Sequence, residues 1–412
     1  MRYIHQLADW PKFQWRDEEI AVTLAAVRHR QGRLIGRMEG LGFDLRSEAV
    51  LTTLTDDVIK SSEIEGEDLN RQQVRSSLAR RLGMDISGLV PADRSVEGVV
   101  EMMLDATQKF DLPLTEERLC GWHAALFPTG RSGMNRITVG AWRKDETGPM
   151  QVVSGPYGRE KVHHEAPGAE RLHTEMEAFL TWFETPPAHD PVLKAALAHL
   201  WFVTIHPFDD GNGRIARAIA DMALARSEFS PHRFYSMSTG IRQQRQSYYD
   251  VLETIQKGDV DTTRWLLWFL ECLDGAIQRS EDVLQYVFTK SRFWEMHRDA
   301  QLNDRHRLML NRLLDGFDGK LNTSKWAKIT KCSTDTALRD IDALIGLDIL
   351  EKESGGGRST SYALVAGVQW LTMPRTRLVC RLATSFRLAR TRSAVQGRSK
   401  PRFRAFACVC LH

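Results

Sequence analysis

The sequence has few of the features that would place it in a membrane or in an oxidising compartment. Its 412 residues include six cysteines, at positions 120, 272, 332, 380, 408 and 410. These are scattered apart from the last two, so neither a disulfide framework nor a zinc site is indicated. No run of about 18 apolar residues occurs, and residues 1–10 lack the basic-then-apolar layout of a signal peptide. These absences predict a cytoplasmic protein with reduced thiols and no membrane partner.

Acidic residues are missing from the C-terminal segment. Residues 365–412 contain nine Arg and one Lys but no Asp or Glu, so the preceding 364 residues carry 46 basic and 53 acidic side chains. The net charge of +3 for the whole chain therefore becomes −7 without this segment. A mildly acidic body disfavours a general nucleic-acid-coating role. The basic tail lacks caps and clear periodicity, which predicts disorder, with a nucleic-acid-binding arm as the alternative.

The most informative stretch is residues 206–217, HPFDDGNGRIAR. Pro207 is expected to end the preceding helix. Gly211 and Gly213 allow a sharp turn that brings backbone amides close to a ligand. The loop then opens a helical run at 215–226, and the N-terminus of such a helix favours an anion. The pattern therefore predicts a phosphate site.

The side chains of this stretch supply the matching chemistry. Arg214 and Arg217 are three residues apart, on one face of the helix, where both guanidinium groups can fork onto phosphate oxygens. Asp210 offers the kind of carboxylate that Mg²⁺ accepts when phosphates fill much of its coordination shell. His206 has an ordinary pKa of about 6.5, which suits a general base. A helix–helix turn with solvated charges is the structural alternative.

The same stretch resembles the signature of Fic-domain proteins, His-x-Phe-x-(Asp/Glu)-Gly-Asn-Gly-(Lys/Arg)-x-x-Arg, at every defined position. Most of that family transfer AMP from ATP to a Ser, Thr or Tyr hydroxyl of a protein. The resemblance implies that His206 deprotonates the hydroxyl, Asp210 holds Mg²⁺, and Phe208 anchors the loop. It also implies that five residues bind the ATP phosphates: Gly211, Asn212, Gly213, Arg214 and Arg217.

A second motif lies upstream. Ser61 and Glu65 are four residues apart on one face of a predicted helix, which by itself indicates only a solvated acidic face. With Gly66 they resemble the inhibitory pattern (Ser/Thr)-x-x-x-Glu-(Gly/Asn), which in one class of Fic proteins precedes the core. The resemblance implies an inhibitory helix at about 55–70. In that helix, Glu65 forms a salt bridge with Arg217 and competes with the γ-phosphate for its guanidinium group.

Between residues 140 and 167 the pattern changes from helical to extended, at 140–143, 150–154 and 162–165, with turn residues between these segments. We predict a β-hairpin in an otherwise helical protein. The resemblance implies that this hairpin is a flap that covers the site and pairs with the backbone of the target. His163, His164 and Glu165 superficially suggest a metal site, but consecutive strand residues point to opposite faces.

A later helix at 242–252 carries two adjacent tyrosines. The resemblance implies that this helix lines the nucleotide pocket, which makes Tyr248 and Tyr249 candidates for contact with the adenine. The alternative is a tyrosine pair at a helix–helix contact. The residues do not decide between the two.

We therefore predict a mainly α protein with four parts. An N-terminal helical domain at 1–110 carries the inhibitory helix, and a Fic-type core with its hairpin follows at 111–290. Residues 291–364 have the order of three helices, strand, turn and strand, which resembles a winged helix-turn-helix. Because its second helix carries few basic residues, DNA binding, protein contact and dimerisation all remain open for this domain. The basic tail occupies 365–412.

Two functions follow from these predictions. The first is an autoinhibited adenylyltransferase that uses Mg²⁺ and ATP, takes a target protein or itself as acceptor, and can also run backwards to remove AMP. The intact GNGR argues against the kinase-like variant of the family. The second is a DNA-binding transcriptional regulator whose Fic core only senses nucleotide. Homodimerisation is compatible with both functions.

Overall fold

The computed structural model describes residues 2–84, 89–145, 148–156, 158–314, 317, 319–353 and 360–365, with the backbone alone for 43–44 and 282–291. In this part of the chain the protein is mainly helical, as predicted. The predicted basic tail after residue 365 and the glycines at 355–357 lie outside the described residues. The helices are α1 (Asp17–Glu39), α2 (Phe43–Ile64), α3 (Arg71–Arg81), α4 (Arg94–Gln108), α5 (Glu116–Leu126), α6 (Leu172–Glu184), α7 (Pro191–Ile205), α8 (Asn212–Glu228), α9 (Met237–Gln243), α10 (Arg245–Gln256), α11 (Thr263–Met296), α12 (Asp304–Leu314), α13 (Thr323–Thr330) and α14 (Thr334–Gly346).

The described strands form antiparallel pairs. They are β1 (Arg131–Ser132) with β2 (Asn135–Arg136), β3 (Gln151–Ser154) with β4 (Lys161–Glu165), and β5 (Leu350–Lys352) with β6 (Tyr362–Leu364). The pair β3–β4 is the predicted hairpin, with Gln151 opposite Glu165 and Ser154 opposite Lys161. The segment at 140–143, which shares the extended pattern, forms no strand.

No helix in the described ranges combines the length and the apolar character needed to cross a lipid bilayer.

The chain divides into two compact units, with the boundary between Glu281 and Asp282. In the first unit, α7 is buried along almost its whole length and packs against α8. The sequence dictates where α7 begins, because Asp190 caps it through a 2.8 Å bond from the Val192 amide and Pro191 occupies the first helical position. The apolar α7 thus carries the chain to the start of the motif at His206.

Helix α2 packs against α3, α8 and α9, which brings its C-terminal end to the motif helix. The helix ends at Ile64, earlier than the predicted span of about 55–70. Gly66 has a φ of 86°, a left-handed conformation that glycine adopts without a steric penalty and that commonly ends helices. Asn70 then caps α3 by accepting bonds from two amides. Glu65 therefore lies in a turn between two helices.

The second unit has its own core, formed by α12–α14 and the β5–β6 pair. Trp326, Leu310 and Ile341 are fully buried there. Asn322 caps α13 and Ser333 caps α14 through side-chain oxygens. The order of helices and strands follows the predicted order. The winged-helix interpretation, and any contact of this unit with DNA, stay predictions.

Candidate active site

The chain leaves α7 through a strained residue. His206 follows the last residue of α7 and has φ 52° and ψ 58°, in the left-handed region that non-glycine residues seldom occupy. Pro207 comes next and cannot continue the helix. Such outliers persist only where the surroundings enforce them, and they concentrate at functional positions. His206 is 7% exposed.

The imidazole of His206 is oriented by the helix that it ends. Its Nδ1 atom lies 3.2 Å from the carbonyl oxygen of Val203. Since a carbonyl oxygen only accepts, Nδ1 carries the proton and Nε2 is the basic atom. Burial lowers the pKa of His206 to about 4, and Arg143 acts in the same direction, while the bond to Val203 opposes the shift. The ring is therefore neutral near pH 7, as a general base requires.

Two residues fix the loop after Pro207. The side chain of Asn212 accepts a 3.0 Å bond from the Phe208 amide and donates a 2.8 Å bond to the Phe208 carbonyl. The ring of Phe208 is fully buried and stacks on His123 with 4.2 Å between ring centroids. Phe208 thus anchors the loop in the core. Because the Asn212 side chain is bonded to the Phe208 backbone, Asn212 would bind a phosphate through its backbone amide.

The two adjacent aspartates have different environments. Asp209 is buried and accepts a 2.7 Å bond from the Thr138 amide. Asp210 is less buried, and its Oδ1 accepts a 2.6 Å bond from the Gly211 amide. Its Oδ2 accepts a bond from the hydroxyl of Ser132 in β1. Asp210 is therefore the carboxylate that can serve a metal. Ser132, which lies in no sequence motif, orients it.

The structure contains the predicted contact between the segment at 61–66 and the motif helix. Arg217 is 2% exposed, and its Nη2 lies 2.7 Å from Oε1 of Glu65. Its Nε donates to Oγ of Ser61 at 2.9 Å, and Nη2 also donates to the Ser61 carbonyl at 2.9 Å. Three groups of one short segment therefore hold a single guanidinium group.

Glu65 also covers the first turn of α8. A Cβ atom on Gly213 would overlap Oε1 of Glu65 and approach Nη1 of Arg217 to 3.3 Å. Only glycine at position 213 leaves room for this carboxylate. Free amides and the helix dipole favour an anion at such a helix N-terminus. The carboxylate of Glu65 therefore occupies the place where a phosphate would be stabilised.

A second acidic residue, which the sequence analysis did not identify, holds the other motif arginine. Glu67 Oε2 accepts a 2.7 Å bond from Nη1 of Arg214, whose guanidinium group lies 5.1 Å from the ring centre of Phe127. Burial raises the pKa of Glu67, although Arg214 opposes the shift. Both arginines are thus paired with carboxylates from the turn after α2. The residue two positions after Glu65 carries no motif, so only the structure reveals this pair.

The donor set fits a nucleotide with its metal ion. Within the described residues, the buried Nη1 of Arg217 and Nε of Arg214 have no hydrogen-bond partner. Buried donors without partners are rare and call for a ligand or water. Together with the α8 N-terminus and the Asp210 carboxylate, these donors have the chemistry that fits phosphate groups and a divalent cation.

The two tyrosines of α10 lie in different places. Tyr248 is 2% exposed, its hydroxyl lies 2.9 Å from Nε2 of His199, and its ring packs near Trp265. This is the helix–helix contact that the sequence left as the alternative. Tyr249 is partly exposed and donates a 3.4 Å bond to the Ile64 carbonyl at the end of α2. Of the two, Tyr249 lies beside the inhibitory segment.

The histidines of the hairpin point in different directions, as predicted for a strand. His163 contacts Ser154 at 2.5 Å and Glu253 at 2.6 Å. His164 is buried, and its Nε2 bonds to the Thr204 carbonyl of α7 at 2.9 Å. His164 thus ties the hairpin to the last turn of α7 and does not converge with His163 on a common ligand.

Parts of the chain are similar to known proteins. Residues 113–224 match the Fic/DOC family, and residues 3–84 match a domain of unknown function, DUF4172. The chain is 34% identical over 114 residues to the protein adenylyltransferase Fic of Aedes aegypti, a match that covers 26% of this chain and 22% of that protein. It is 28% identical over 214 residues to the protein of the same name of Drosophila yakuba, a match that covers 49% of this chain and 37% of that protein. The matches thus span less than two fifths of the length of these relatives.

A solved structure of a Fic family protein from Desulfovibrio desulfuricans shares 22% sequence identity with the chain. The alignment covers 84% of this chain and 96% of that one, with a TM-score of 0.49.

Proposed function

Because residues 113–224 belong to the Fic/DOC family, we propose that the chain is an autoinhibited protein adenylyltransferase. It transfers AMP from ATP to a Ser, Thr or Tyr hydroxyl of a target protein or of itself. The observation that carries the proposal is the meeting of the His206 imidazole, the Asp210 carboxylate and the N-terminus of α8 around one loop. A base, a metal ligand and an anion site are the parts that such a transfer requires.

The phosphates of ATP bind at the start of α8. The amides of Asn212 and Gly213 lie in the first turn of α8, where the helix dipole favours an anion, and Arg214 and Arg217 provide planar donors that match phosphate oxygens. The Gly211 amide is bonded to Asp210, so Gly211 contributes the left-handed turn that opens the helix. Asp210, oriented by the Ser132 hydroxyl and the Gly211 amide, is the residue that would hold Mg²⁺. The ion supplies charge neutralisation for the leaving pyrophosphate when it is bound.

The transfer needs one proton acceptor. The target hydroxyl oxygen forms a bond to the α-phosphorus while the bond between that phosphorus and the bridging oxygen to the β-phosphate breaks. Nε2 of His206 takes the hydroxyl proton, since Nδ1 is committed to the Val203 carbonyl. The low pKa of His206, about 4, keeps this atom unprotonated throughout the neutral range.

Autoinhibition follows from the position of Glu65. Its carboxylate pairs with Arg217 and lies over Gly213, where the terminal phosphate of ATP would need the same guanidinium group and the same space. Negative charges compete for one site, so ATP binds weakly or in an unproductive pose. Removal of the Glu65 side chain is expected to open the site without altering its catalytic groups.

The test compares four forms of the full chain in ATP labelled at the α-phosphate: wild type, Glu65→Gly, Glu63→Gly and Glu65→Gly with His206→Ala. Glu63 is the matched control, because it lies in the last turn of α2 but pairs with Lys60 at 2.5 Å and with Arg242 at 3.4 Å. Labelling of protein is expected to rise above the wild-type level in the Glu65→Gly form alone, by about tenfold or more.

Equal labelling of all four forms would contradict the mechanism. Labelling that rises equally in Glu63→Gly and Glu65→Gly would contradict the inhibitory role of Glu65, since a loosened helix would then suffice. Mass spectrometry of the labelled protein identifies both the transferred group and the acceptor residue.

A further inference from the structure

The backbone carbonyl groups at the end of α7 are buried and need hydrogen-bond donors. The last carbonyls of a helix have no partner within it, and Pro207 has no amide hydrogen to offer. The residues of this turn are buried, so each carbonyl needs a donor from elsewhere. His206 itself bonds the Val203 carbonyl through Nδ1, and His164 bonds the Thr204 carbonyl.

Arg143 supplies donors to the carbonyls of His206 and Pro207. Nε of Arg143 donates to the His206 carbonyl at 2.9 Å, and the backbone amide of Arg143 donates to the Pro207 carbonyl at 2.9 Å. The side chain is fully buried, and its Nη1 pairs with Asp145. Arg143 therefore binds two consecutive backbone carbonyls, that of the strained His206 and that of the residue after it.

The same guanidinium group reaches the hairpin. Nη2 of Arg143 donates to the carbonyl of Pro167, two residues after β4 ends. At that base, the Ala166 amide bonds the Met150 carbonyl at 2.9 Å and so closes the hairpin. Arg143 thus joins the His206 turn to the base of the hairpin, and the bond from His164 to Thr204 forms a second tie between them.

We propose that Arg143 is a positioning residue for the reaction: it keeps His206 in its left-handed turn and fixes the base of the β3–β4 hairpin against that turn. The inference rests on the proposed function, in which His206 is the base. Arg143 lies outside the HPFDDGNGRIAR motif. Its bonds explain how His206 and the hairpin, which are more than 40 residues apart in the chain, stay fixed relative to each other.

The charge of Arg143 gives the proposal a second measurable consequence. The groups that face His206 are Arg143, which lowers its pKa, Asp210 and Glu65, which raise it, and His164, which is buried beside it. Loss of the positive charge at position 143 therefore raises the pKa of the His206 imidazole. A purely structural role would not require this change.

Two substitutions separate geometry from charge, both made in the Glu65→Gly form. Arg143→Lys keeps the charge but loses the planar fork that reaches two carbonyls, whereas Arg143→Gln loses both. We expect kcat to fall by about 10- to 100-fold in both variants with little change in KM for ATP. The pKa of His206, followed by NMR of the imidazole carbons and assigned with His206→Ala, is expected to rise in Arg143→Gln and to stay in place in Arg143→Lys.

Arg118→Lys is the matched control. Arg118 also binds a carboxylate, Asp105 at 2.6 Å, and several carbonyls, including that of Lys109 at 2.9 Å, but none of its bonds reaches the His206 turn. This control should lower the melting temperature without a loss of kcat. If the Arg143 variants fail to fold, Asp145→Asn, which leaves Arg143 in place and weakens its anchor, should lower kcat several-fold.

The NMR titration needs no AMP transfer, so it tests Arg143 separately from the proposed function. An unchanged His206 pKa in Arg143→Gln would overturn the inference, and so would a loss of kcat no larger than in Arg118→Lys. In the case of unfolded Arg143 variants, full activity of Asp145→Asn would overturn it. A shifted pKa without any AMP transfer in the parent form would support the role of Arg143 and count against the proposed function.

Discussion

Nη2 of Arg217 lies 2.7 Å from Oε1 of Glu65, a residue 152 positions earlier in the chain. The guanidinium group is buried, so a partner that leaves must be replaced by another anion. The phosphates of a nucleotide can neutralise the buried guanidinium group in this way, whereas water, which is uncharged, cannot. Under the proposed function, an internal carboxylate and an external phosphate compete for this guanidinium group, and the predictions below concern the groups around it.

Ser61 and Ser62 provide a matched pair for the docking of α2. Both are fully buried, but Ser61 Oγ accepts a bond from Nε of Arg217, whereas Oγ of Ser62 has no hydrogen-bond partner among the described residues. Ser61→Ala leaves a buried donor unpaired and is expected to cost about 1–3 kcal/mol of unfolding free energy in urea denaturation. Ser62→Ala should be nearly neutral or stabilising. Equal losses in the two variants would show that the bond to Arg217 contributes nothing.

Glu67→Gln should relieve inhibition less than Glu65→Gly does. The Glu67 side chain is 47% exposed and that of Glu65 is 20% exposed, so solvent screens the pair with Arg214 more strongly. We expect a rise of about two- to fivefold in affinity for a non-hydrolysable ATP analogue, measured by calorimetry. Because both carboxylates face one anion site, the double variant should gain less than the product of the single gains. Independent, multiplicative effects would contradict a shared site.

Ser132→Ala should weaken the affinity for Mg²⁺. The Ser132 hydroxyl donates to Oδ2 of Asp210, and partners that orient a metal ligand typically contribute about tenfold or more to metal affinity. The measurement is the Mg²⁺ dependence of nucleotide binding in the Glu65→Gly form. Ser361→Ala is the control, since its hydroxyl donates to Glu353 at 2.7 Å in the second unit. An unchanged Mg²⁺ dependence in Ser132→Ala would remove Ser132 from the metal site.

Acid should destabilise the fold well before its carboxylates titrate. Among the histidines whose pKa burial lowers, the pKa falls to about 4 for His5, His123 and His206 and to about 3 for His164 and His199. Between the ordinary value of about 6.5 and these values, the unfolded chain binds protons that the folded chain does not. Stability is therefore lost as pH falls through this window, by up to about 1.4 kcal/mol per pH unit for each histidine.

Urea denaturation between pH 7 and pH 5 checks this prediction. His199→Asn should reduce the slope of unfolding free energy against pH by the contribution of one histidine, because asparagine does not titrate. The same slope in wild type and His199→Asn would contradict a neutral, buried His199.

The local elements were readable from the sequence because short-range chemistry controls them. Asp190 and Pro191 define the start of α7, Pro207 follows its last turn, and Gly211 opens the loop to α8. The change to an extended pattern at 150–154 and 162–165 predicted the hairpin, whose strands lie at Gln151–Ser154 and Lys161–Glu165. The end of α2 was placed too late, since the left-handed turn at Gly66 stops the helix and residues 67–70 only lead into the cap of α3.

Contacts between distant residues were readable only where a motif encoded them. The pair of Glu65 with Arg217 was anticipated through a resemblance, but that of Glu67 with Arg214 was not, although the chemistry is the same. The sequence around Arg143 and Ser132 likewise does not reveal their roles. Each role depends on the bonding partner, which is a backbone carbonyl for Arg143 and the Asp210 carboxylate for Ser132.

The sequence by itself determined the helical class, the motif loop and the residue types that serve a phosphate and a base, since turns, caps and periodicity act over a few residues. Tertiary structure alone decided that Asn212 closes the loop with its side chain, that Tyr248 lies in the core, and that Arg143 ties His206 to the hairpin. These outcomes depend on which groups become buried together, and each buried donor or acceptor then bonds to whatever the packing of the helices brings within about 3 Å.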